Sequence, residues 1–296
     1  MVTVGTFDGV HLGHQAIIRR MIAEAKRIDG ESVIVTFDPH PRMVVHSDSR
    51  DLKLINSPKR KIDLIRKTGI DHLIVIPFTP EFARLSSIEF IRSILVEKIG
   101  VAKMIVGYDH HFGRDRLGNF NSLEEVGGEL GFDVEEVPAQ YVDELKVSSS
   151  KIRKALNEGD IRKANHLLGY EYSIYGKVVE GYKVGRKIGF PTANIEVDDK
   201  LKLITANGVY ACKVMWQGQR YLGMGNIGVR PTLNRKELTI EVHIFDFDRE
   251  IYDEYLTVYW IDRIRDEIKF RDIHALKDQL VMDKQTTLKL LRDTHT

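Results

Sequence analysis

The chain contains 296 residues, enough for two domains with separate cores, and its 44 basic and 43 acidic side chains leave a formal net charge of +1. That balance offers no electrostatic case for a nucleic-acid or membrane partner, and the single cysteine, Cys212, excludes an intrachain disulfide framework. No apolar run approaches the roughly 20 residues of a membrane span and no signal-peptide pattern is present, so we expect a soluble cytoplasmic protein.

Residues 1–169 alternate short apolar runs with amphipathic segments, a pattern that predicts strands alternating with helices. The predicted strands are VTVG, SVIVTF, HLIVIPF, AKMIVG and FDVEEVP. Strands joined by helices need crossover connections, so they form a parallel sheet that helices cover on both faces. We therefore predict a doubly wound α/β domain over residues 1–169.

After Gly169 the pattern changes to apolar and aromatic strands separated by glycine-bearing turns: YEYSIYGKVVEG, GVYACKVMW, QRYLGMGNIG, LTIEVHIFDF and YLTVYWIDRI. Closely spaced strands without intervening helices predict an antiparallel barrel or sandwich. One helix is predicted at 274–292, and WQGQ at 216–219 is predicted to be a short hairpin turn. The second domain is therefore predicted to span residues 170–296, with Cys212 in its core.

The stretch GTFDGVHLGH at residues 5–14 joins the first predicted strand to a helix, and it places His11 and His14 in the first helical turn. That turn carries unpaired N–H groups and the positive end of the helix dipole, which favour a bound anion. Two imidazoles three residues apart share one face and can donate to phosphate oxygens, while Gly13 allows close approach to the backbone. The structural alternative makes His11 an N-cap and His14 a half-buried surface residue.

Ligands of an open α/β sheet bind beyond the carboxyl ends of the strands, where several unusual loops occur. Five of the eleven histidines lie in three of these loops: His11, His14, His40, His110 and His111. A metal site is the rival interpretation, but phosphate recognition also accounts for the glycines, Arg114, Arg116, the SSS run and Arg153. The basic SPKRK segment at 57–61 is expected to be a solvated helix start. The sequence thus favours a nucleotide-phosphate site, with Mg²⁺ supplied by the nucleotide.

The second domain has its own polar motifs, GRKIGFPTANI, GMGNIGVRPT and EVHIFDFD. Glycines flank an Arg-Lys pair at 185–189, which indicates a flexible flap over phosphates, although the spacing is not that of a P-loop kinase. Thr192 and Asn194 are small oxygen donors with the alternation of a strand, so both could face one Mg²⁺. Turn chemistry after Pro191 is the alternative.

Glu241 interrupts the apolar run LTIEVHIF in a strand that should be largely buried. A carboxylate in that position needs a partner or a task, because burying an unpaired charge is costly. Asp246 and Asp248, near the end of the same strand, are expected to be solvated. Glu241 is therefore the sharpest functional candidate of the second domain.

These motifs together resemble the prokaryotic bifunctional riboflavin kinase/FMN adenylyltransferases, also called FAD synthetases. GTFDGVHLGHQ, TFDPHP, VGYDHHFGRDRLG and VSSSKIR resemble the adenylyltransferase module, and GRKIGFPTANI, NIGVRPT and EVHIFDFD resemble the kinase module. HxGH alone is shared with other nucleotidylyltransferases and with class I aminoacyl-tRNA synthetases, whereas PTAN with a downstream EVHIFDFD is far more specific. The resemblance implies a Rossmann-like nucleotidylyltransferase domain followed by a β-barrel kinase domain with a C-terminal helix.

The resemblance also implies an activity, namely phosphorylation of riboflavin by ATP to FMN, then transfer of AMP from a second ATP to FMN, giving FAD and pyrophosphate. It implies Mg²⁺ as the cofactor and no nucleic-acid or membrane partner. The sequence departs from the family pattern in two places. Met1 lies almost inside the first strand, where the family usually has an extension, and His110 and His111 stand where aromatic or other residues are common.

The roles of individual residues follow from the same resemblance. His11 and His14 are implied to hold the ATP phosphates while the FMN phosphate attacks directly. Thr192 and Asn194 are implied to bind Mg²⁺-ATP, and Glu241 to accept the proton of the ribityl 5′-hydroxyl. Further ATP or phosphate contacts are implied for Gly5, Thr6, Phe7, Asp8, Gly13, Ser148, Ser149, the catalytic Arg153, Gly185, Arg186, Lys187 and Gly189. Flavin contacts are implied for Phe37, His40, Asp109, Phe112 and Arg114.

Two other function classes are open at this point. One is a flavin-binding regulatory protein that keeps the folds without turnover, and the other is a tRNA-linked synthetase. The match of the catalytic pattern at His14, Arg153, Thr192, Asn194 and Glu241 favours the enzyme. Near-neutral charge and the lack of a lysine signature loop or RNA-binding extension disfavour the synthetase.

Overall fold

The computed structural model describes residues 1–45, 52–108, 120–142, 145–181, 184–231 and 236–293. The chain forms two compact units, Met1–Ser149 and Ser150–Thr296. None of the helices in the described ranges is long and apolar enough to cross a membrane.

The described part of the first unit contains a five-stranded parallel sheet in the order β3-β2-β1-β4-β5. Its strands are β1 Val2–Val4, β2 Val33–Asp38, β3 His72–Pro77, β4 Lys103–Gly107 and β5 Asp133–Val137. The predicted strands and the doubly wound parallel sheet are confirmed. The strand order reverses between β1 and β4, and ligand crevices form at the carboxyl ends of such neighbours.

Alternate residues of these strands enter two different cores, because successive side chains of a strand point to opposite faces. Val35 and Val106 pack on one face of the sheet. Ile34 and Ile105, their chain neighbours, pack on the other face with Ile18 of the first helix. Burial on both faces explains why the strands read as continuous apolar runs.

Helices cover this sheet and connect its strands. They are α1 Leu12–Arg27, α2 Pro41–Val45, α3 Pro58–Arg66, α4 Ser87–Phe90, which continues as a π-helical turn Ile91–Val96, and α5 Phe120–Leu130. A small hairpin, β6 Tyr141–Val142 and β7 Leu145–Lys146, follows β5. The VSSSKIR motif therefore follows this hairpin rather than the fifth strand directly.

The second unit is a closed antiparallel barrel in the order β10-β11-β12-β9-β8-β13, as described residues define it. Its strands are β8 Ser173–Val179, β9 Ala193–Glu196, β10 Gly208–Trp216, β11 Gln219–Pro231, β12 Lys236–Ile244 and β13 Tyr255–Arg265. Its helices are α6 Ser149–Glu158, which begins at the last residue of the first unit, α7 Ile161–Leu168, α8 Val184–Lys187 and α9 Ile273–Asp293. The predicted barrel and C-terminal helix are confirmed.

The first helices of the second unit explain why the units divide ahead of residue 170. Gly159 has φ +77° and separates α6 from α7. Asn165 of α7 then donates from Nδ2 to the Trp260 carbonyl at 2.9 Å and accepts from the Tyr172 amide at 2.7 Å. These bonds attach α7 to the barrel, although its sequence continues the amphipathic pattern of the first half.

Two local predictions hold inside the barrel. Trp216 pairs with Gln219 across a two-residue turn in which Gln217 has φ +47° and Gly218 φ +80°, the conformation of a type I′ hairpin. Cys212 is fully buried, and burial raises the pKa of its thiol. A protonated, buried thiol is a packing residue.

Candidate active sites

His11 and His14 meet at the N-terminus of α1, beyond the end of β1. His11 is the N-cap, and its Nδ1 accepts from the His14 amide at 3.3 Å. The two rings stack with centroids 3.7 Å apart and planes 13° apart. The predicted pairing of the imidazoles and the capping alternative for His11 are therefore both present in one arrangement.

His14 is held as a neutral imidazole. Burial, with a smaller contribution from neighbouring His11, holds its pKa well below the usual value. Its Nδ1 is buried and has no hydrogen-bond partner among the described residues. Because buried polar atoms are nearly always paired, this nitrogen indicates a place for a ligand atom or a water.

The loop ahead of the histidines has an unusual backbone. Phe7, Gly9 and Val10 all have positive φ, of 48°, 90° and 37°. This conformation is costly for a β-branched residue such as Val10, on the order of 1–3 kcal/mol, and such strain is found at functional loops. Asp8 holds the loop in place, because its buried carboxylate accepts from the backbone amides of Ile55 and Asn56 at 3.0–3.3 Å.

Small residues in this loop are required by close packing. A Cβ on Gly13 would lie 3.2 Å from the His11 ring, and one on Gly5 would lie 3.2 Å from the Phe7 ring. Ser149 donates from Oγ to the Asp8 carbonyl at 2.8 Å, so its hydroxyl supports the same loop. Ser148 precedes α6, and Arg153 lies in the second turn of that helix.

The predicted flavin residues of β2 lie at the same end of the sheet. Phe37 packs edge-to-face on Phe78 at 5.4 Å and lies 5.9 Å from Phe82 between centroids. His40 is half-buried, and its Nδ1 accepts from the Arg42 amide at 3.2 Å at the start of α2. Sequence reasoning missed Phe78 and Phe82, although their motif, PFTPEF, ends the third predicted strand. The predicted contacts Asp109, Phe112 and Arg114 lie outside the described residues, as do His110, His111 and Arg116.

Lys61 corrects the expectation of a solvated helix start at 57–61. The residue is half-buried, and its Nζ donates to Thr36 Oγ1 and the Phe37 carbonyl at 3.1 Å and to the Thr6 carbonyl at 3.3 Å. Burial lowers the pKa of Lys61, against the opposing influence of Asp38 and Asp8. The burial of Lys61 could not be predicted from the sequence, because nothing in the local pattern shows that α3 turns this side chain toward the sheet.

The barrel brings Thr192, Asn194 and Glu241 together. Asn194 on β9 lies directly opposite Glu241 on β12, so their side chains share one face of the barrel wall. Thr192 donates from Oγ1 to Glu241 Oε2 at 3.2 Å. On the other side Glu241 pairs with Asn226 of β11, a neighbour that sequence reasoning missed. Half-buried Glu241 thus has the partner that its sequence position demanded.

His243, two residues after Glu241, holds the start of the PTAN motif. Its Nδ1 and the Pro191 carbonyl are 2.7 Å apart, so Nδ1 carries the proton. Its ring also contacts the ring of Phe190 at 5.1 Å between centroids. Burial lowers the pKa of His243, while the bond to Pro191 opposes that effect. This residue was missed because a histidine in an apolar run gives no sign of its partner.

A cavity of about 460 Å³ opens beside this group, and Thr192, Arg186 and Glu250 are among its lining residues. Arg186 donates from a guanidinium nitrogen to Glu250 Oε1 at 2.9 Å, and this bond raises the pKa of Arg186. Gly185 closes a turn against the Phe190 carbonyl with no room for a Cβ, and Gly189 has φ +85°. The neighbouring Lys187 is exposed. Asp246 and Asp248 are exposed as predicted, and Asp248 lines the cavity.

The donors around Glu241 suit a hard cation. A hydroxyl, an amide oxygen and a carboxylate are oxygen ligands of the kind that Mg²⁺ binds, usually with ligand phosphates and water completing its shell. Among the described residues no group of three or more His, Cys, Asp or Glu side chains is placed to hold a metal ion. The barrel donors are therefore candidate oxygen ligands for a divalent cation.

Comparison with known proteins gives one family model for each part of the chain. The family model for FAD synthetase matches residues 1–151, and the family model for riboflavin kinase matches residues 168–291. The bifunctional riboflavin kinase/FMN adenylyltransferase of Listeria monocytogenes is 39% identical over 97% of this chain and 91% of its own length. The protein of the same name from Bacillus subtilis is 38% identical over 98% and 92%.

A crystal structure described as a macrolide-efflux protein from Streptococcus pneumoniae has a TM-score of 0.90 and 34% identity, over 97% of this chain and 93% of that one. That description concerns the Streptococcus protein, and what it shares with this chain is sequence and the whole fold. With both modules matched in order and relatives aligned over almost the full length, the chain belongs to the family of bifunctional riboflavin kinase/FMN adenylyltransferases.

Proposed function

We propose that the two units divide the two reactions of this family between them. The chain phosphorylates riboflavin with ATP to give FMN, and it adenylylates FMN with a second ATP to give FAD and pyrophosphate. The barrel unit carries the kinase site, around Glu241, and the parallel-sheet unit carries the adenylyltransferase site, around His11 and His14.

The contact between Thr192 and Glu241 carries the kinase half of the proposal. Glu241 accepts the proton of the ribityl 5′-hydroxyl as that oxygen attacks the γ-phosphate of ATP. Thr192 and Asn194 hold Mg²⁺ with the nucleotide, and the bound cation neutralises charge on the phosphates. Because Thr192 donates to Glu241 at 3.2 Å, the proposed metal ligand and the proposed base are neighbours.

The flap at 185–189 and the adjoining cavity supply the remainder of the kinase site. Gly185 and Gly189 shape a tight turn that presents Arg186 and Lys187 toward the phosphates of ATP. Arg186 is a bidentate donor suited to phosphate oxygens. Glu250 balances its charge at 2.9 Å, and phosphate replaces Glu250 when the nucleotide binds.

The buried Nδ1 of His14, which has no hydrogen-bond partner in the part of the chain that the structure describes, carries the adenylyltransferase half. His14 and His11 stand at a helix N-terminus, where backbone N–H groups favour phosphate. Their pre-placed donors stabilise charge that develops on the leaving pyrophosphate, while the ionised FMN phosphate attacks the α-phosphate without a covalent enzyme intermediate. Gly13 and Gly5 allow the nucleotide to approach the loop.

Further contacts complete this site. Thr6, Phe7 and Asp8 shape the nucleotide loop, and Ser148 and Ser149 contact phosphate at the start of α6. The phosphate contact that the resemblance implies for Arg153 stays a prediction. Phe37, beside the aromatic cluster of Phe78 and Phe82, and His40 receive the flavin, together with Asp109, Phe112 and Arg114.

Incubation with riboflavin, ATP and MgCl₂, followed by chromatography of the flavins, tests the proposal. FMN should appear first and FAD after it, and a parallel reaction started from FMN should give FAD alone. Omission of the divalent cation should stop both reactions, which would support a divalent-metal requirement. Riboflavin that stays unchanged across metals and redox conditions would refute turnover and favour the regulatory flavin-binding alternative, which the comparisons do not favour.

We place both reactions in the cytoplasm. Both consume ATP, and the single cysteine of the chain, Cys212, is a free thiol, as suits a reducing compartment. Fractionation of cells that make the protein would test the location.

A further inference from the structure

Lys61 occupies a position that none of the proposed catalytic steps uses. Its ammonium donates to three acceptors, Thr36 Oγ1, the Phe37 carbonyl and the Thr6 carbonyl, at 3.1–3.3 Å. An ammonium has three N–H donors, so these three bonds use its full capacity. Lys61 therefore acts on the protein itself and has no donor left for a substrate phosphate.

The three acceptors lie at the ends of two neighbouring strands. Thr6 belongs to the loop after β1, which leads to His11 and His14. Phe37 lies near the end of β2, ahead of His40. One loop is proposed to hold the nucleotide and the other to hold the flavin, so Lys61 joins the two substrate loops of the parallel-sheet unit.

The backbone around α3 supports this loop from a second direction. Ile55 and Asn56, just ahead of α3, donate to the buried Asp8 carboxylate. Thr36 also donates to the Thr6 carbonyl at 3.4 Å, which extends the link between the strand ends. A half-buried ammonium is costly unless its hydrogen bonds are made. The positions of its three acceptors are therefore strongly coupled to the position of the Lys61 ammonium.

We infer that Lys61 is a positioning residue for FMN adenylylation: by bridging Thr6 and Phe37 it fixes the nucleotide loop relative to the flavin loop, and so aligns the FMN phosphate with the α-phosphate of ATP. The inference rests on the proposed adenylyltransferase role of this unit. Each loop can bind its own substrate without Lys61, but their relative placement is lost. A misplacement of about 1 Å can cost about 100-fold in rate.

The test measures kcat and KM for FMN adenylylation in full-length Lys61→Met, with riboflavin phosphorylation assayed on the same preparation. The expected result is a 10- to 100-fold fall in the adenylylation kcat, with KM for ATP and FMN within about threefold of wild type. Kinase activity should be unchanged. Lys67→Met, which removes the same charge from an exposed residue just after α3, is the matched control and should resemble wild type.

A second pair of variants keeps Lys61 and so covers failure of Lys61→Met to fold. Thr36→Val removes one acceptor of the ammonium and keeps a branched side chain, whereas Thr36→Ser keeps the hydroxyl. We expect Thr36→Val to lower the adenylylation kcat about three- to tenfold and Thr36→Ser to restore most of it. A purely structural role would lower the melting temperature of both variants without separating their kcat values.

The outcomes distinguish this inference from the proposed function. Wild-type protein that makes no FAD from FMN would overturn the adenylyltransferase assignment and the inference with it. Wild-type FAD synthesis combined with a Lys61→Met kcat within twofold of normal would overturn the inference alone. A raised KM at constant kcat would also overturn it, because that pattern indicates lost binding rather than lost alignment.

Discussion

Glu241→Gln should stop riboflavin phosphorylation and leave FMN adenylylation intact. The amide keeps the shape of the carboxylate and can still accept from Thr192, but it cannot take a proton. A positioned general base contributes on the order of 10²- to 10⁴-fold, and the loose transition state of phosphoryl transfer favours the lower end. We therefore expect the kinase kcat to fall about 100-fold, equivalent to about 2.7 kcal/mol of transition-state stabilisation.

The structural cost of the same change should be much smaller. Glu241 is half-buried, and the glutamine oxygen can reproduce its 3.2 Å hydrogen bond with Thr192. The change in the free energy of unfolding should be no more than about 1 kcal/mol, which corresponds to about 2–4 °C in the melting temperature of a unit this size. A catalytic role of Glu241 thus predicts a large fall in the kinase kcat with little change in the melting temperature. A purely structural role predicts no such fall while the fold is retained.

The assay follows riboflavin to FMN and FMN to FAD in parallel on one folded preparation, with the melting temperature recorded by calorimetry. FMN adenylylation uses a nucleophile that is already ionised, so it should match wild type. Glu196→Gln, which removes a carboxylate from an exposed position on the neighbouring strand β9, should retain both activities. Kinase activity within about twofold of wild type in Glu241→Gln would refute the role of Glu241 as the base.

Three further predictions concern other parts of the molecule. His14→Ala should slow FAD formation about 10²- to 10³-fold with normal FMN formation in the same assay. The folded state holds His14 neutral, whereas the unfolded state binds a proton at this residue below about pH 6.5. The free energy of unfolding should therefore fall less in acid for the variant than for wild type. The buried Asp283 carboxylate of α9 accepts from the half-buried Arg265 guanidinium at 2.7–3.1 Å, and Asp283→Asn should lower the melting temperature of the barrel unit by roughly 6–12 °C in calorimetry, since it leaves that guanidinium without its counter-charge, at a cost of about 3 kcal/mol. A fragment of residues 150–296 should phosphorylate riboflavin without making FAD. It should also unfold at a higher urea concentration than a fragment of residues 170–296, which lacks helix α7. Equal urea midpoints would contradict the assignment of α7 to the barrel.

The pattern of apolar residues was enough to predict the five parallel strands, five of the six barrel strands found among the described residues, and helix α9. Each of these elements depends on a pattern within about ten residues, where side-chain period and turn chemistry decide the conformation. The same is true of the hairpin at Gln217 and Gly218, where glycine suits the positive φ of the second turn residue. Motifs indicated the candidate sites for a related reason. A glycine loop at a helix start, or a carboxylate in an apolar strand, can be recognised from a few consecutive residues.

Only the tertiary structure decided which distant residues meet. Lys61 reads as a solvated basic residue until α3 is folded against the sheet, where its ammonium reaches two strand ends. His243 and Asn226 read as ordinary strand residues until β12 pairs with its neighbours. Helix α7 belongs to the barrel because Asn165 hydrogen-bonds to Trp260 and Tyr172. The local periodicity of the sequence does not indicate this contact. Strand order, register and helix docking bring together residues far apart in the chain, and the chemistry of both sites depends on those long-range pairings.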